Sequence, residues 1–232
     1  MKKTIYTLNI NNFAPEICEM TYPLIRYWAD KIGADFYIIK DRKFPDYPVT
    51  YEKLQIYELG QLHKNDWNIY IDSDAIVHPE TLDWTTLISK DIILHNGNDY
   101  ANIRWRYDKY FLRDGRNIGS CNWHVIASDW CIDLWKPLDI SAEEAISNIF
   151  PTVNELNTVI TREHLIDDYA LSRNIARYGL KFNTITKLKD EKLPGSNFYW
   201  HLYTDTIEEK TKKMRALLDE WKIPECIRNY GG

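Results

Sequence analysis

Strand-length apolar runs alternate with longer amphipathic stretches in the first third of the chain. Residues 4–9, 35–39 and 67–71 are rich in β-branched and aromatic residues and predict three β-strands. Residues 14–32 and 51–62, which lie between them, have helical patterns. This β-α-β-α-β order is typical of a mainly parallel sheet flanked by helices. The pattern therefore predicts an α/β fold whose ligands bind beyond the carboxyl ends of the strands.

The second half of the chain predicts further elements with less regular spacing. Strands are expected over residues 92–94, 121–127 and 182–186, and a helix over residues 164–178. Gly33 and Gly179 follow helical patterns and predict left-handed C-caps, whereas Pro23 is a candidate break inside the first helix. Thr206 and Glu209 form a capping box that predicts a C-terminal packing helix over about 206–221.

Composition places the chain among ordinary globular proteins. It has 232 residues, 44% of them hydrophobic and 27% charged, and a formal net charge of −5. The acidic balance argues against a large nucleic-acid surface. No run approaches the roughly 20 apolar residues of a transmembrane helix. The four cysteines are scattered and favour a reducing compartment, so a cytoplasmic location is expected.

Two carboxylates follow the third predicted strand. Asp72 and Asp74 are separated by one residue at what should be the carboxyl edge of the sheet. Carboxylate oxygens there suit a hard divalent cation that also binds phosphate. A turn followed by a helix cap would use aspartate equally well, so the pattern by itself leaves both interpretations open.

The segment Asp72-Ser73-Asp74 resembles the D-x-D motif of GT-A-fold glycosyltransferases, particularly the glycogenin-like and yeast galactosyl/mannosyltransferase-like groups. The resemblance implies a GT-A, Rossmann-like α/β fold with a mainly parallel central sheet. It also implies that Asp72 and Asp74 bind Mn²⁺ or Mg²⁺. That ion would bridge the diphosphate of a nucleotide sugar, a UDP-sugar by family inference, and assist departure of the nucleoside diphosphate.

Further segments resemble this family's motifs in the same chain order, namely residues 51–57, 117–120, 166–168 and 197–202. The resemblance extends loosely from residue 4 to about residue 202. They imply nucleotide or donor-sugar contacts, acceptor-side carboxylates and a histidine metal ligand. The nucleotide or donor contacts are Thr7, Leu8, Lys53, Ser73, Asn117 and Gly119. The acceptor-side carboxylates are Asp167 and Asp168, and the third metal ligand is His201. A solvated lysine, a strand-entry glycine, acids at a helix start and a core histidine are the structural alternatives for Lys53, Gly119, Asp167 and His201.

Two departures from the family pattern affect the implied chemistry. Asp167 stands where the family has glutamate, and the residues after Gly119 are more polar than usual. In an inverting enzyme Asp168 would act as general base on the acceptor hydroxyl, whereas in a retaining enzyme it would mainly position substrate. The sequence leaves both outcomes open.

A polar and aromatic stretch at residues 96–116 is longer than a loop that only connects two elements usually is. Its arginines and aromatic side chains suit diphosphate and sugar or base contacts, and an ordinary solvated loop fits equally well. The same interleaving would suit a nucleic-acid acceptor, which the net charge of −5 makes a minority interpretation.

The expected organisation is a single glycosyltransferase domain over residues 1–232, with a nucleotide-binding half at about 1–77 and an acceptor-side half at about 78–205. A hexosyltransferase acting on a glycan or another hydroxyl acceptor is the leading function. One alternative is a haloacid-dehalogenase-type phosphatase with Asp72 as nucleophile and Asp74 as acid/base. Another is a noncatalytic sugar- or nucleotide-binding module. Motifs of dinucleotide oxidoreductases, P-loop kinases, zincin proteases and serine hydrolases are missing from the sequence.

Overall fold

A six-stranded sheet forms the centre of the protein. The computed structural model describes residues 1–96, 123–149, 152–153, 159–192, 199–201 and 206–231. The strands are β1 Lys3–Leu8, β2 Asp35–Ile39, β3 Trp67–Ile71, β4 Ile76–Val77, β5 Ile92–His95, β6 His124–Ser128, β7 Thr152–Val153, β8 Val159–Ile160, β9 Lys181–Thr184 and β10 Tyr199–Trp200. The main sheet has the order β2-β1-β3-β6-β5-β9, while β10 pairs with β4 and β7 with β8. Within the main sheet only β6 runs against its neighbours, so the predicted mainly parallel α/β sheet is confirmed.

Helices cover this sheet and form its connections. They are α1 Pro15–Ile32, α2 Ile56–His63, α3 Ala142–Ser147, α4 Ile166–Tyr178, α5 Ile185–Lys192, α6 Ile207–Glu220 and α7 Glu225–Arg228. Three 3₁₀ segments accompany them, Val49–Gln55, Trp84–Thr86 and Asp129–Trp135. Within the described residues, no helix combines the length and the apolar character that crossing a bilayer requires.

Both faces of the sheet are buried, which explains why its central strands read as continuous apolar runs. Tyr6 and Tyr70 pack into one hydrophobic cluster with residues of α2 and α4. Ile5 and Ile69 point to the opposite face and pack with Trp28 of α1. Neighbouring residues along a strand alternate between faces, so two cores form on a single sheet.

Both predicted C-caps and the capping box are confirmed. Gly33 and Gly179 have φ values of 66° and 62°, in the left-handed region that glycine adopts without steric cost. The Thr206 hydroxyl accepts the Glu209 N–H at 3.2 Å, and the Glu209 carboxylate accepts the Thr206 N–H at 3.3 Å. Helix α6, which starts there, packs against α1 through the buried Met214 and other residues of its inner face.

Several predicted elements differ from the observed ones in their ends or continuity, and three of these differences are instructive. Helix α1 continues through Pro23, because the carbonyl that loses its partner belongs to the exposed Glu19, where water can satisfy it. The predicted helix at 51–62 is divided into the 3₁₀ segment Val49–Gln55 and α2. The predicted strand at 182–186 ends at Thr184, because the Thr184 hydroxyl accepts the Lys187 N–H at 3.1 Å and caps α5.

A close approach between α2 and β3 predicts an unusual glycine effect. A Cβ placed on Gly60 would lie 2.6 Å from Oδ1 of Asn68, which is fully buried and accepts a hydrogen bond from Asn65 at 3.0 Å. We therefore expect Gly60→Ala to lower the free energy of unfolding by roughly 1–3 kcal/mol through overpacking. In a helix without this contact the same change stabilises by about 1 kcal/mol.

Urea denaturation of the single and double variants measures this effect. In an Asn68→Ala background the obstructing amide is gone, so the Gly60→Ala change should become neutral or stabilising. Equal Gly60→Ala effects in both backgrounds would show that the amide is not the cause.

Candidate metal centre

The turn after β3 is fixed by its backbone. Strand β3 is buried along its whole length between β1 and β6. Beyond it, the Asp72 N–H donates to the Trp123 carbonyl at 2.8 Å, and the Ala75 N–H donates to the Asp72 carbonyl at 3.1 Å. The Thr21 hydroxyl of α1 donates to the Ser73 carbonyl at 2.5 Å. Residues 72–75 are therefore held at the carboxyl edge of the sheet by one bond within the turn and by bonds to Trp123 and to α1.

Asp72, Asp74 and His201 converge at this edge. One potential ligand atom from each residue lies within 4.8 Å of the others. Nε2 of His201 is 3.2 Å from Oδ1 of Asp74 and 3.7 Å from Oδ2 of Asp72. Two carboxylates and one imidazole suit Mn²⁺ better than Mg²⁺, which prefers oxygen ligands alone. The donor set therefore fits a divalent cation of the Mn²⁺ type.

Aromatic packing orients the histidine. The His201 ring stacks on Trp123 with ring centroids 5.0 Å apart and an interplanar angle of 13°. The preceding strand β10 pairs with β4 and is anchored where the Trp84 indole N–H donates to the Tyr199 hydroxyl at 2.5 Å. Nδ1 of His201 is buried and makes no hydrogen bond to the described residues. The ring is thus held with Nε2 toward both aspartates.

Lys53 lies beneath the aspartates and is 1% exposed. Its ammonium is 2.5 Å from Oδ2 of Asp167 and 3.7 Å from Oδ1 of Asp72, and it lies 4.3 Å from the centre of the Tyr70 ring. Burial opposes the charge, but Asp167, Asp72 and Asp168 raise the Lys53 pKa above its ordinary value. The buried lysine therefore links the metal-side carboxylate to the first turn of α4.

The two aspartates of the motif differ in their electrostatics. Burial raises the pKa of Asp72, although Lys53 opposes the shift and the Tyr70 hydroxyl donates to its Oδ1 at 2.5 Å. For Asp74 burial acts in the same direction, but hydrogen bonds and charges from His201 and Lys210 hold its pKa below the ordinary value. The ammonium of Lys210 is 2.5 Å from Oδ2 of Asp74.

Lys210 is a site residue that the sequence analysis does not predict, because the pattern over about 206–221 indicates a packing helix alone. A usable signal was present in the spacing. Lys210 precedes Met214 by four residues, so both lie on the same face of the helix, and both are buried. A lysine on an apolar helix stripe needs an anionic partner, and here that partner is Asp74.

The other predicted contacts are only partly located. Thr7 is fully buried, and its hydroxyl makes no hydrogen bond to the residues that the structure describes. Tyr6 is in register with Tyr70, which puts Leu8 of β1 level with Asp72. Asn117 and Gly119 lie outside the described residues. Asp168, like Asp167, is buried in the first turn of α4.

Comparisons with known proteins give no family and no close relative. No protein-family model and no curated protein matches the chain. Solved structures that resemble it include a glycosyltransferase involved in glycosylation of the major capsid of PBCV-1, with 11% identity, a TM-score of 0.49, and coverage of 93% of this chain and 100% of the other. The galactosyltransferase LgtC, solved with donor and acceptor sugar analogues, has 11% identity, a TM-score of 0.47, and coverage of 96% and 98%.

A third structure is a Drosophila β1,4-galactosyltransferase 7 mutant in complex with manganese, UDP-Gal and xylobiose. It has 10% identity, a TM-score of 0.44, and coverage of 93% of this chain and 80% of the other. At such identities and TM-scores, likeness establishes neither activity nor ligand. The fold and the site by themselves define an α/β protein with a candidate divalent-metal centre at the carboxyl edge of its sheet.

Removing the buried ammonium should destabilise the protein. Lys53→Met leaves the buried Asp167 carboxylate and the partly buried Asp72 carboxylate without their shared counter-ion. We expect the free energy of unfolding at pH 7 to fall by about 3–5 kcal/mol, measured by urea denaturation. Lys43→Met, which removes an exposed pair with Glu58, is the matched control and should cost less than about 1 kcal/mol. Equal losses in the two variants would contradict the counter-ion role.

A buried histidine behind the site predicts a pH effect. His124 of β6 donates through Nδ1 to the Tyr70 carbonyl at 2.9 Å, and burial lowers its pKa from 6.5 to about 4. Between these pH values His124 is mainly protonated in the unfolded chain but mainly neutral in the folded protein. The contribution of His124 to stability is therefore complete above pH 6.5 and lost as the pH falls toward 4.

His124→Asn should reduce the slope of unfolding free energy against pH in this window, by at most about 1.4 kcal/mol per pH unit. Asparagine keeps an N–H donor for the Tyr70 carbonyl, so the loss of the imidazole proton is the main change. Chemical denaturation at several pH values measures the slope. His164→Asn, at an exposed position, is the control and should leave it unchanged. An unaltered slope in the His124 variant would refute the assignment.

Proposed function

We propose that this chain is a metal-dependent glycosyltransferase of the GT-A fold. In this proposal it moves a hexose from a nucleoside-diphosphate sugar, a UDP-sugar, to the hydroxyl of a glycan or other acceptor. The observation that carries the proposal is the convergence of Asp72, Asp74 and His201 within 4.8 Å of one another at the ligand-binding edge of an α/β sheet. The D-x-D resemblance supplies the chemistry that such a centre would serve.

On the donor side, Asp72, Asp74 and His201 hold the cation in this proposal. When bound, Mn²⁺ or Mg²⁺ supplies Lewis-acid stabilisation of the charge that develops on the leaving diphosphate. Lys53 keeps the Asp72 carboxylate in place through their 3.7 Å ion pair and limits repulsion between the acidic groups. Thr7, Leu8 and Ser73 are proposed to contact the nucleotide, and Asn117 and Gly119 the donor sugar.

On the acceptor side, we assign different tasks to the two aspartates of α4. Asp167 is engaged with the buried ammonium of Lys53 at 2.5 Å and serves as its counter-ion. Asp168, one of the acceptor-side carboxylates that the family resemblance implies, is the residue proposed to act on the acceptor hydroxyl. It would accept the proton in an inverting reaction and orient the acceptor in a retaining one.

The phosphatase alternative makes a different demand on Asp72. Its carboxylate would have to attack phosphorus, whereas here Oδ1 accepts the Tyr70 hydroxyl at 2.5 Å and Oδ2 lies 3.7 Å from Nε2 of His201. An imidazole beside the aspartate pair suits metal ligation better than phosphoryl transfer to Asp72. The arrangement therefore favours a transferase over a phosphatase.

The test is an assay with a panel of nucleotide sugars in the presence of Mn²⁺ or of EDTA, with nucleoside diphosphate and inorganic phosphate measured separately. We expect Mn²⁺-dependent release of one nucleoside diphosphate. Asp72→Ala should lower that release by at least roughly 10²–10³-fold, because a group that stabilises transition-state charge is lost. Circular dichroism should show an intact fold.

Asp46→Asn, which changes an exposed aspartate away from the site, is the matched control and should keep full turnover. Full activity of Asp72→Ala would overturn the metal-centre assignment. Release of inorganic phosphate from simple phosphoesters would favour the phosphatase. Ligand binding without either product, even with glycan acceptors supplied, would favour a binding module.

A further inference from the structure

Lys210 forms an ion pair with Asp74, one of the carboxylates proposed to bind the metal. Its side chain is 8% exposed, and its ammonium is 2.5 Å from Oδ2 of Asp74, while Nε2 of His201 lies 3.2 Å from Oδ1 of the same residue. Both oxygens of Asp74 therefore already have cationic or hydrogen-bonding partners. A metal ion that used Asp74 would have to share this carboxylate with Lys210 or displace it.

Repulsion makes sharing unfavourable. A divalent cation and an ammonium on one carboxylate repel each other at a few ångströms, even where water screens them well. An ammonium displaced from Asp74 within the same enclosed region gives up this ion pair, which is also costly. The arrangement of lowest free energy is therefore one in which Lys210 pairs with a second anion when it leaves Asp74.

A nucleoside diphosphate would be that anion. It would bind at the same cation, and its oxygens would be within reach of a flexible four-carbon side chain. We infer that Lys210 is a resident counter-ion of Asp74 that competes with the metal and is transferred to the diphosphate, which makes metal and nucleotide binding cooperative. This inference rests on the proposed function and adds a regulatory step at the same site.

The inference predicts opposite effects of one substitution on two affinities. Lys210→Met should bind Mn²⁺ alone roughly tenfold more tightly than the wild type, because the competing charge is gone. The factor by which UDP increases Mn²⁺ affinity should fall by a similar amount, and by linkage so should the effect of Mn²⁺ on UDP affinity. Electron paramagnetic resonance or calorimetry with Mn²⁺, with and without UDP, measures both quantities without turnover.

Four further variants make the experiment decisive. Lys212→Met removes a charge from the exposed face of the same helix and should leave Mn²⁺ affinity unchanged. Lys210→Arg keeps a cation and should stay near the wild type. Lys210→Gln also removes the charge and keeps the test valid if the methionine variant does not fold. Asp72→Asn should abolish Mn²⁺ binding and so locates the ion.

The possible results separate the two ideas. If Asp72→Asn removes Mn²⁺ binding but Lys210→Met binds Mn²⁺ no more tightly than the wild type, the inference is overturned. The proposed function then still stands. The same holds if Lys210→Arg tightens binding as much as Lys210→Met. Failure of the wild type and every variant to bind Mn²⁺, with or without UDP, overturns both the metal centre and the inference.

Discussion

Charge compensation at the carboxyl end of β3 is the constraint on which the site depends. Asp72, Asp74 and Asp167 bring three carboxylates into a region largely withdrawn from water, and each faces a cation. Lys53 serves Asp72 and Asp167, and Lys210 serves Asp74. Removal of one partner would leave a charge uncompensated in a low-dielectric environment. Because these residues come from the first and last thirds of the chain, their pairing ties distant elements together.

Tyr70 connects this charged site to one of the two hydrophobic cores of the sheet. Tyr70 packs with one core through its ring, lies under the Lys53 ammonium and donates its hydroxyl to Asp72. Its carbonyl accepts the Nδ1–H of His124. One strand residue therefore connects hydrophobic packing, a buried cation and a metal-side carboxylate. A site assembled in this way is preorganised by groups that also stabilise the protein.

Local patterns predict the parts of the structure that local forces determine. The strands around residues 35–39 and 67–71, the glycine caps and the Thr206 capping box follow from apolar runs and short-range hydrogen bonds. Helix α1 passes through Pro23 because burial of its inner face outweighs one lost hydrogen bond. The aspartate pair was visible in the sequence, but the approach of His201 to Asp74 across 127 positions is a tertiary result that no spacing reveals. The family resemblance, and no spacing, predicts His201, whereas the ion pair between Lys53 and Asp167 was not predicted at all.

The last segment of the chain determines when the site is complete. His201 follows β10, and Lys210 lies on α6, which packs on α1 through Met214. The aspartates are positioned by β3 and by α1, but the third ligand and one counter-ion arrive only when this C-terminal segment docks. Contacts across such a separation carry the entropic cost of closing the intervening chain. Docking of the C-terminal segment therefore brings to the aspartates both the histidine proposed to hold the metal and the lysine proposed to compete with it.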